Sequence, residues 1–302
     1  MRVLISGGSG MIGRRLAERL AARGDAPVVL SRRPARVRGL PRGVAVEEWD
    51  AADPGRLAEL AGGADALVHL AGEGIASGRW TAERKRRIRE SRVRSTEAVA
   101  EALRRAGGRP PVLLQGSAVG YYGPKDDEVV TEETPPGDDF LAEVCQEWEA
   151  AGAPAEEAGV RRVLLRTGIV LSTEGGALPP MVRPFKLFAG GPVGSGRQWM
   201  PWIHLDDEVG AIDFLMRHPS ASGPFNLTAP NPLTNRELSR AIGRALGRPS
   251  LLPAPAFAMR LLFGEMATLL LDGQRAVPRR LEELGYDFRY ADADAALADL
   301  LG

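Results

Sequence analysis

The stretch Gly7-Gly8-Ser9-Gly10-Met11-Ile12-Gly13 follows a short apolar strand, Arg2 to Ser6, and opens a segment with helical periodicity. Its glycines satisfy both the G-x-G-x-x-G and the G-x-x-G-x-x-G spacing. Glycine is needed in such a turn because the chain bends sharply, the backbone must approach a pyrophosphate closely, and the helix must lie against the strand. The helix N-terminus adds NH donors and a positive dipole end. The stretch therefore predicts a dinucleotide site that uses Gly7, Gly10, Met11, Ile12 and Gly13.

Short apolar runs recur between helix-length segments in the first part of the chain, at Val3 to Ser6, Pro27 to Leu30, Val44 to Glu47, Ala66 to Leu70, Val112 to Gln115 and Val163 to Arg166. Such runs are typical of parallel strands that crossover helices bury on both faces. Helices are predicted at about 11–23, 81–106 and 139–158. The sequence therefore predicts an α/β fold, a doubly wound parallel sheet of the Rossmann type.

The pattern changes after Leu171, where glycines and prolines interrupt a long stretch. We expect loops over a cleft there, rather than further βαβ units. Beyond it we predict a short strand at Phe225 to Thr228, a helix capped near Thr234, and an apolar amphipathic segment from Ala254 to Leu271. We expect a dinucleotide-binding domain over residues 1–172 with parts of 198–230. A smaller substrate-side lobe would then cover 173–197 and 231–302.

Composition limits the partners that the chain can have. Lysine plus arginine equals aspartate plus glutamate at 39 each, so no global positive charge favours nucleic acid or an anionic membrane. No run of about 18 apolar residues and no apolar leader is found, so we expect no membrane span. The single cysteine and three histidines predict no disulfide and no metal site. We expect a cytoplasmic protein with a small-molecule substrate and a possible homodimeric state.

The residues after the second predicted strand bear on the choice of dinucleotide. Leu30-Ser31-Arg32-Arg33 stands where an NAD site usually has an acidic residue. A carboxylate there would repel a 2′-phosphate, whereas Ser31 can donate a hydrogen bond and an arginine can form a charge-assisted pair. We favour Arg32 for that pair; the alternative is that both arginines only decorate a loop. NADP(H) is therefore favoured over NAD(H).

With these residues in place, the sequence resembles the extended short-chain dehydrogenase/reductases, which include nucleotide-sugar epimerases and dehydratases. The family's landmarks occur in order, as the glycine turn, His69-Leu70-Ala71-Gly72, Gln115-Gly116-Ser117, Tyr122-Gly123, Trp202 to Asp207 and Arg279 to Tyr286. The resemblance implies that Asp50 accepts a hydrogen bond from the adenine amino group and that Leu70, Ala71 and Gly72 line the adenosine and the nicotinamide ribose. It also places Ser117 at the position of the family's catalytic serine.

The chain departs from the family at its Tyr-x-x-x-Lys pair. In active members the lysine holds the nicotinamide ribose and lowers the pKa of the tyrosine, because residues four apart share a helix face. The resemblance puts Leu141 at the tyrosine position, Cys145 at the lysine position, and Arg92 where asparagine is usual. These departures are similar to an atypical subgroup, the YfcH-like "epimerase family protein" group.

Several side chains keep more than one interpretation. Cys145 is either a nucleophile or redox sensor or, as we favour, a small apolar helix residue beside the cofactor. Arg92 either pairs with the cofactor or an acidic substrate, or joins surface ion pairs of its helix. Glu73 is a candidate proton carrier. Tyr121 to Lys125 spells the missing motif, but Gly123 and Pro124 prevent a regular helix there.

Two functions are consistent with these residues. The first is an NADP(H)-dependent oxidoreductase or epimerase-like enzyme whose chemistry depends on Ser117 and the bound nicotinamide, with a slow rate because the tyrosine is missing. The alternative is a non-catalytic NADP(H)-responsive binding protein, in which the cofactor stabilises a regulatory conformation.

Overall fold

The computed structural model describes all residues from 1 to 302. Its strands are β1 (Arg2–Ser6), β2 (Ala26–Ser31), β3 (Ala45–Glu48), β4 (Ala66–His69), β5 (Val112–Ala118), β6 (Val129–Val130), β7 (Arg161–Thr167), β8 (Ile169–Leu171), β9 (Trp199–Met200), β10 (Trp202–His204), β11 (Gly223–Leu227), β12 (Leu233–Thr234) and β13 (Arg275–Ala276).

The α-helices are α1 (Met11–Ala22), α2 (Pro54–Ala61), α3 (Ala82–Arg105), α4 (Phe140–Ala151), α5 (Pro154–Glu157), α6 (Leu178–Lys186), α7 (Leu205–Arg217), α8 (Asn235–Leu246), α9 (Ala256–Phe263), α10 (Thr268–Leu271), α11 (Arg279–Glu283) and α12 (Ala293–Leu301). Short 3-10 turns lie at Pro34–Arg36, Val119–Tyr122 and Gly264–Ala267.

Seven strands form one parallel sheet in the order β11-β7-β5-β4-β1-β2-β3. The chain starts in the middle, runs outward through β2 and β3, and then crosses back to β4 on the other side of β1. The prediction of a doubly wound parallel sheet is confirmed. In such a sheet, ligands bind beyond the carboxyl ends of the strands where the winding direction reverses, here between β1 and β4.

Helices bury both faces of this sheet. Alternate residues of a strand point to opposite faces, so Val3 and Ile5 pack with α1 and α7, whereas Leu4 packs with α2 and α3. A third apolar cluster joins α6, α8 and α12 around the buried Trp202. Three two-stranded sheets, β8 with β10, β9 with β12 and β6 with β13, lie outside the main sheet. The limits of the two expected lobes stay a prediction.

Three elements differ from the sequence prediction. The helix expected over 139–158 is two helices. The first, α4, ends at Ala151, and a Cβ on the following Gly152 would lie 1.9 Å from the side-chain oxygen of Gln115. The stretch expected to be loops contains α6, whose first turn tolerates prolines because its NH groups need no helical partner. The segment from Ala254 to Leu271 is broken at Gly264, where φ is 61°. No helix is both long and apolar enough to span a membrane.

Candidate functional site

The glycine turn between β1 and α1 leaves no room for side chains. Gly7 has a φ of 71°, and a Cβ there would lie 2.8 Å from the carbonyl carbon of Leu70. A Cβ on Gly13 would lie 2.5 Å from the Gly7 oxygen, and the Gly10 NH donates to that same oxygen at 2.9 Å. The loop after β4 therefore rests directly on the turn, and only glycine permits this contact.

The N-terminus of α1 is open to a ligand. Gly10 is the N-cap residue, no side chain caps the helix, and its first turn has no acidic residue. The first NH groups of a helix have no partner within it, so these donors and the positive dipole end suit an anion. A cradle of glycines below an uncapped helix fits a pyrophosphate. Beside it, a Cβ on Gly176 would lie 3.2 Å from the Cε of Met11, so the loop after β8 packs on Met11.

A cavity of about 390 Å³ brings together four of the residues predicted for the cofactor, Arg32, Asp50, Ala71 and Gly72. The wall opposite them comes from α3, which contributes Ser91, Arg94 and Ser95 among others. The cavity lies at the ends of β2, β3 and β4, on the side expected for the adenosine. Ser31 does not line it; its hydroxyl accepts a hydrogen bond from the Arg33 NH at 3.2 Å.

Arg32 and Asp50 keep polar groups available in this cavity. Arg32 is exposed and forms no ion pair with any carboxylate of the chain. The Oδ1 atom of Asp50 accepts hydrogen bonds of 2.8 Å from the NH groups of Ala52 and Asp53, and these bonds lower the pKa of the carboxyl. Its Oδ2 atom has no hydrogen-bond partner in the protein.

Ser117 lies inside a buried polar network at the end of β5. Its hydroxyl donates to Glu149 Oε1 at 2.6 Å, and Arg166 pairs with the same carboxylate at 2.8 Å. Arg166 also donates to the Tyr122 hydroxyl at 3.0 Å, which in turn donates to Asn226 at 2.6 Å. The sequence interpretation missed Glu149 and Arg166, because nothing local to either residue indicates a shared partner.

Leu141 packs in an apolar cluster rather than beside a polar group. Its neighbours include the buried side chains of Trp80, Val144 and Met266. The segment that contains Met266 is fixed over the cluster, since Lys85 pairs with Glu265 and Arg79 donates to main-chain oxygens of α9. This position therefore offers neither a proton donor nor a proton acceptor.

The Cys145 thiol is buried on α4. Burial, reinforced by Glu149 and opposed by Arg92, raises the pKa of Cys145 to about 12. A thiol with this pKa is almost entirely protonated near neutral pH, whereas the thiolate is the reactive form. The geometry favours the interpretation of Cys145 as a small apolar residue.

Arg92 points inward, away from the surface of α3. Its Nη1 donates to the carbonyl oxygens of Glu73 and Ile88, both at 3.0 Å, and its guanidinium lies 5.1 Å above the Trp148 ring. It forms no ion pair, so the alternative of a surface pair is not what the structure shows. The carboxylate of Glu73 is paired with Arg84 and faces the edge of the adenosine-side cavity.

The literal Tyr-x-x-x-Lys sequence does not form a helical pair. Tyr121 lies within the 3-10 turn Val119–Tyr122, and its ring centroid is 3.5 Å from the Cζ atom of the Arg166 guanidinium. The Lys125 NH donates to the Gly273 oxygen at 2.9 Å. Gly123 has a φ of 66° between them. His204 caps α7 through a 3.0 Å bond that its Nδ1 accepts from the Asp206 NH, a structural role.

Comparisons with known proteins agree with this geometry. Residues 3–228 match the model of the NAD dependent epimerase/dehydratase family. The chain belongs to this family. A second match, to a domain of unknown function called DUF1731, covers residues 254–300. The predicted resemblance is thereby confirmed.

Several family members are similar over essentially the whole chain. A chloroplastic SDR39U1 homolog of Arabidopsis thaliana, described as an epimerase family protein, is 42% identical over all of this chain and 87% of its own length. The epimerase family protein Mb2239 of Mycobacterium bovis is 43% identical over 98% of this chain and 96% of its own. The crystal structure of the human epimerase family protein SDR39U1 with NADPH matches all of this chain and 99% of its own, with a TM-score of 0.88 and 35% identity.

Proposed function

We propose that this family member binds NADP(H) and acts as an oxidoreductase or epimerase-like enzyme on a small molecule. The observation that carries the proposal is the shared cavity of Arg32 and Asp50 next to the glycine turn. An unpaired guanidinium at the end of β2 is the group that would hold a 2′-phosphate. The human relative with NADPH bound, at 35% identity, supports the same choice.

The chain's own residues would mainly position the cofactor. Gly7, Gly10 and Gly13 would admit the pyrophosphate to the α1 N-terminus, and the loop after β4, whose Ala71 and Gly72 line the cavity, would lie along the ribose. When bound, the nicotinamide supplies hydride transfer, a reaction that depends largely on orientation. Ser117 is held by Glu149, so we propose that it shapes the site from below rather than donating a proton freely.

A second candidate function is a non-catalytic NADP(H)-responsive binding protein. It is favoured by one specific observation, that the positions of the usual tyrosine and lysine hold an apolar leucine and a protonated, buried cysteine. Loss of a general acid costs a rate factor of about 10² to 10⁴. A slow enzyme and a sensor therefore differ in whether any turnover is measurable over a broad panel of carbonyl compounds.

Calorimetric titration with NADPH, NADP⁺, NADH and NAD⁺ tests the cofactor proposal. We expect tighter binding of the phosphorylated pair, and a selective loss of about 10- to 100-fold for that pair in Arg32→Ala. Arg33→Ala is the matched control, since Arg33 is an adjacent exposed arginine outside the cavity. No binding of any dinucleotide would refute the proposal, and equal effects of the two variants would refute the role of Arg32.

The catalytic part is tested by restoring the missing pair. The double variant Leu141→Tyr with Cys145→Lys should gain reductase activity toward simple carbonyl compounds, provided that its thermal unfolding shows a folded protein. No gain in a folded variant would count against the assignment of these two positions and favour the sensor.

We also propose a cytoplasmic location and a homodimeric assembly. The single cysteine is compatible with a reducing cytoplasm. A homodimer is the oligomeric state we propose, and the molar mass from light scattering would decide it.

A further inference from the structure

The positive charge of Arg92 is not neutralised within the protein. Most other cationic residues in the first half of α3 pair with a carboxylate, as in Arg84 with Glu73, Arg87 with Glu83, Arg89 with Glu143 and Arg94 with Glu90. Arg92 lies among these residues, is half-buried, and has only carbonyl oxygens as acceptors. Cations that are partly removed from water are usually paired with a carboxylate, so a half-buried arginine without such a partner needs an explanation.

The structure holds this guanidinium on the α4 side of the site. It stacks on Trp148, one turn beyond Cys145, and Trp148 is itself fixed by a 3.0 Å bond from its Nε1 to Thr96, one turn beyond Arg92. A Cβ on Gly72 would lie 3.2 Å from Arg92 Cζ, so the absence of a side chain at Gly72 makes room for the guanidinium. The cation is thus fixed between the loop after β4 and the helix that should carry the family's lysine.

The bonds of Arg92 also set its direction. Nη1 is occupied by the oxygens of Glu73 and Ile88, whereas Nε and Nη2 donate to no group of the protein and are not fully enclosed. Burial lowers the pKa of Arg92, but an arginine stays protonated at physiological pH. Two donors of a permanent cation therefore remain for oxygen atoms of a ligand.

Helix α3 places different side chains on the two sides of Gly72. Ser91, Arg94 and Ser95 line the cavity on the adenosine side. Arg92 does not line that cavity and lies instead against Trp148 on α4. The unpaired cation is therefore directed to the half of the site that the resemblance assigns to the nicotinamide ribose.

We propose that Arg92 on α3 provides a fixed positive charge in place of the lysine that Cys145 replaces on α4. Its guanidinium would bind the ribose hydroxyls at the nicotinamide end of NADP(H). The inference rests on the proposed function, because it concerns a part of the same cofactor. Arginine at the usual asparagine position and cysteine at the usual lysine position are then one coupled change. The site keeps its cofactor-holding cation and loses only its proton relay.

Titrations of NADPH and of 2′,5′-ADP, which lacks the nicotinamide half, separate this role from general damage. Arg92→Met keeps an unbranched side chain on Trp148 and removes the charge, and Arg92→Lys keeps the charge. We expect Arg92→Met to weaken NADPH binding about 10- to 100-fold and to change 2′,5′-ADP binding less than about twofold. Arg92→Lys should lose less NADPH affinity than Arg92→Met. Arg86→Gln, at an exposed and unpaired arginine of α3, is the matched control and should change neither ligand.

The outcomes distinguish the inference from the proposed function. If the unaltered protein binds neither ligand, the proposed function fails first. If it binds both, and Arg92→Met and Arg92→Lys retain its NADPH affinity, the role of Arg92 alone is wrong. Equal losses of NADPH and 2′,5′-ADP in a variant with unchanged thermal unfolding would place Arg92 at the adenosine half instead. Adding Cys145→Lys to Arg92→Met should recover part of the NADPH affinity, a rescue that a merely structural arginine would not allow.

Discussion

Ser117 and Glu149 are joined by a 2.6 Å hydrogen bond in which the serine hydroxyl is the donor, and the carboxylate is at the same time ion-paired with the buried Arg166. The hydroxyl therefore stabilises a negative charge inside the protein. A serine bound in this way is not free to give its proton to a ligand. Its conspicuous position at the end of β5 is explained by the ion pair beneath the site.

The buried pair gives a prediction about stability. Glu149→Ala leaves Arg166 charged, buried and unpaired, and should lower the free energy of unfolding by about 3–5 kcal/mol. Replacing both partners, as Glu149→Met with Arg166→Met, should cost clearly less than the single change, because no uncompensated charge remains. Urea unfolding of the three proteins measures both values. A double variant less stable than Glu149→Ala would show that the pair itself is strongly stabilising.

Cys145 gives a prediction about reactivity. Its pKa is raised to about 12 by burial, with a further contribution from Glu149, so at pH 8 its thiolate fraction is lower by about 10³ than in the unfolded chain. A disulfide reagent added at pH 8 should react very slowly with the native protein and rapidly after denaturation in guanidinium chloride. Since this is the single cysteine, one absorbance trace reports it alone. Fast labelling of the native protein would revive the nucleophile interpretation.

The parts of the fold that the sequence predicts correctly have local signals. The spacing of Gly7, Gly10 and Gly13 indicates the glycine turn. Apolar runs indicate the strands, because the crossover helices alone bury them. The sequence does not predict the end of α4, because the backbone just after this helix packs against the side chain of Gln115 in β5. Periodicity within the helix carries no trace of that contact.

The residues of the candidate site likewise fall into some that the sequence predicts and some that it does not. Arg32, Asp50, Ala71 and Gly72 follow strand ends, so a parallel sheet alone brings them to one cavity. The partner of Ser117 lies 32 residues further along the chain. That pairing depends on how α4 packs on β5, so the spacing of motifs along the chain does not predict it.

Glu208 gives a prediction about pH dependence. It is fully buried on α7, its Oε1 accepts a 2.8 Å bond from Thr167, its Oε2 has no partner, and burial raises its pKa to about 8. The folded protein then holds a proton that the unfolded chain releases near pH 4.5. Stability from this group is therefore complete below about pH 4.5 and is lost as the pH rises to about 8, by about 1.4 kcal/mol for each pH unit.

Glu208→Gln mimics the protonated acid and should remove that loss. Its free energy of unfolding by urea should rise relative to the unaltered protein as the pH increases from about 5 to 8. Glu97→Gln, at an exposed position of α3, is the control and should follow the unaltered protein throughout. Parallel curves for Glu208→Gln and the unaltered protein would mean that Glu208 is ionised and solvated in the native state.

Ala51 lines the cavity that contains Arg32 and Asp50, and its φ is 69°. Left-handed backbone costs a non-glycine residue about 1–2 kcal/mol, and glycine loses part of that gain through its larger unfolded-state entropy. Ala51→Gly should therefore raise the free energy of unfolding by about 0.5–1 kcal/mol. Ala58→Gly within α2 is the matched control and should lower it by a similar amount. If Ala51→Gly stabilises the protein and also weakens NADPH binding, the strained turn serves to hold Asp50 in place for the ligand. The protein would then keep the strain at Ala51 because binding requires it.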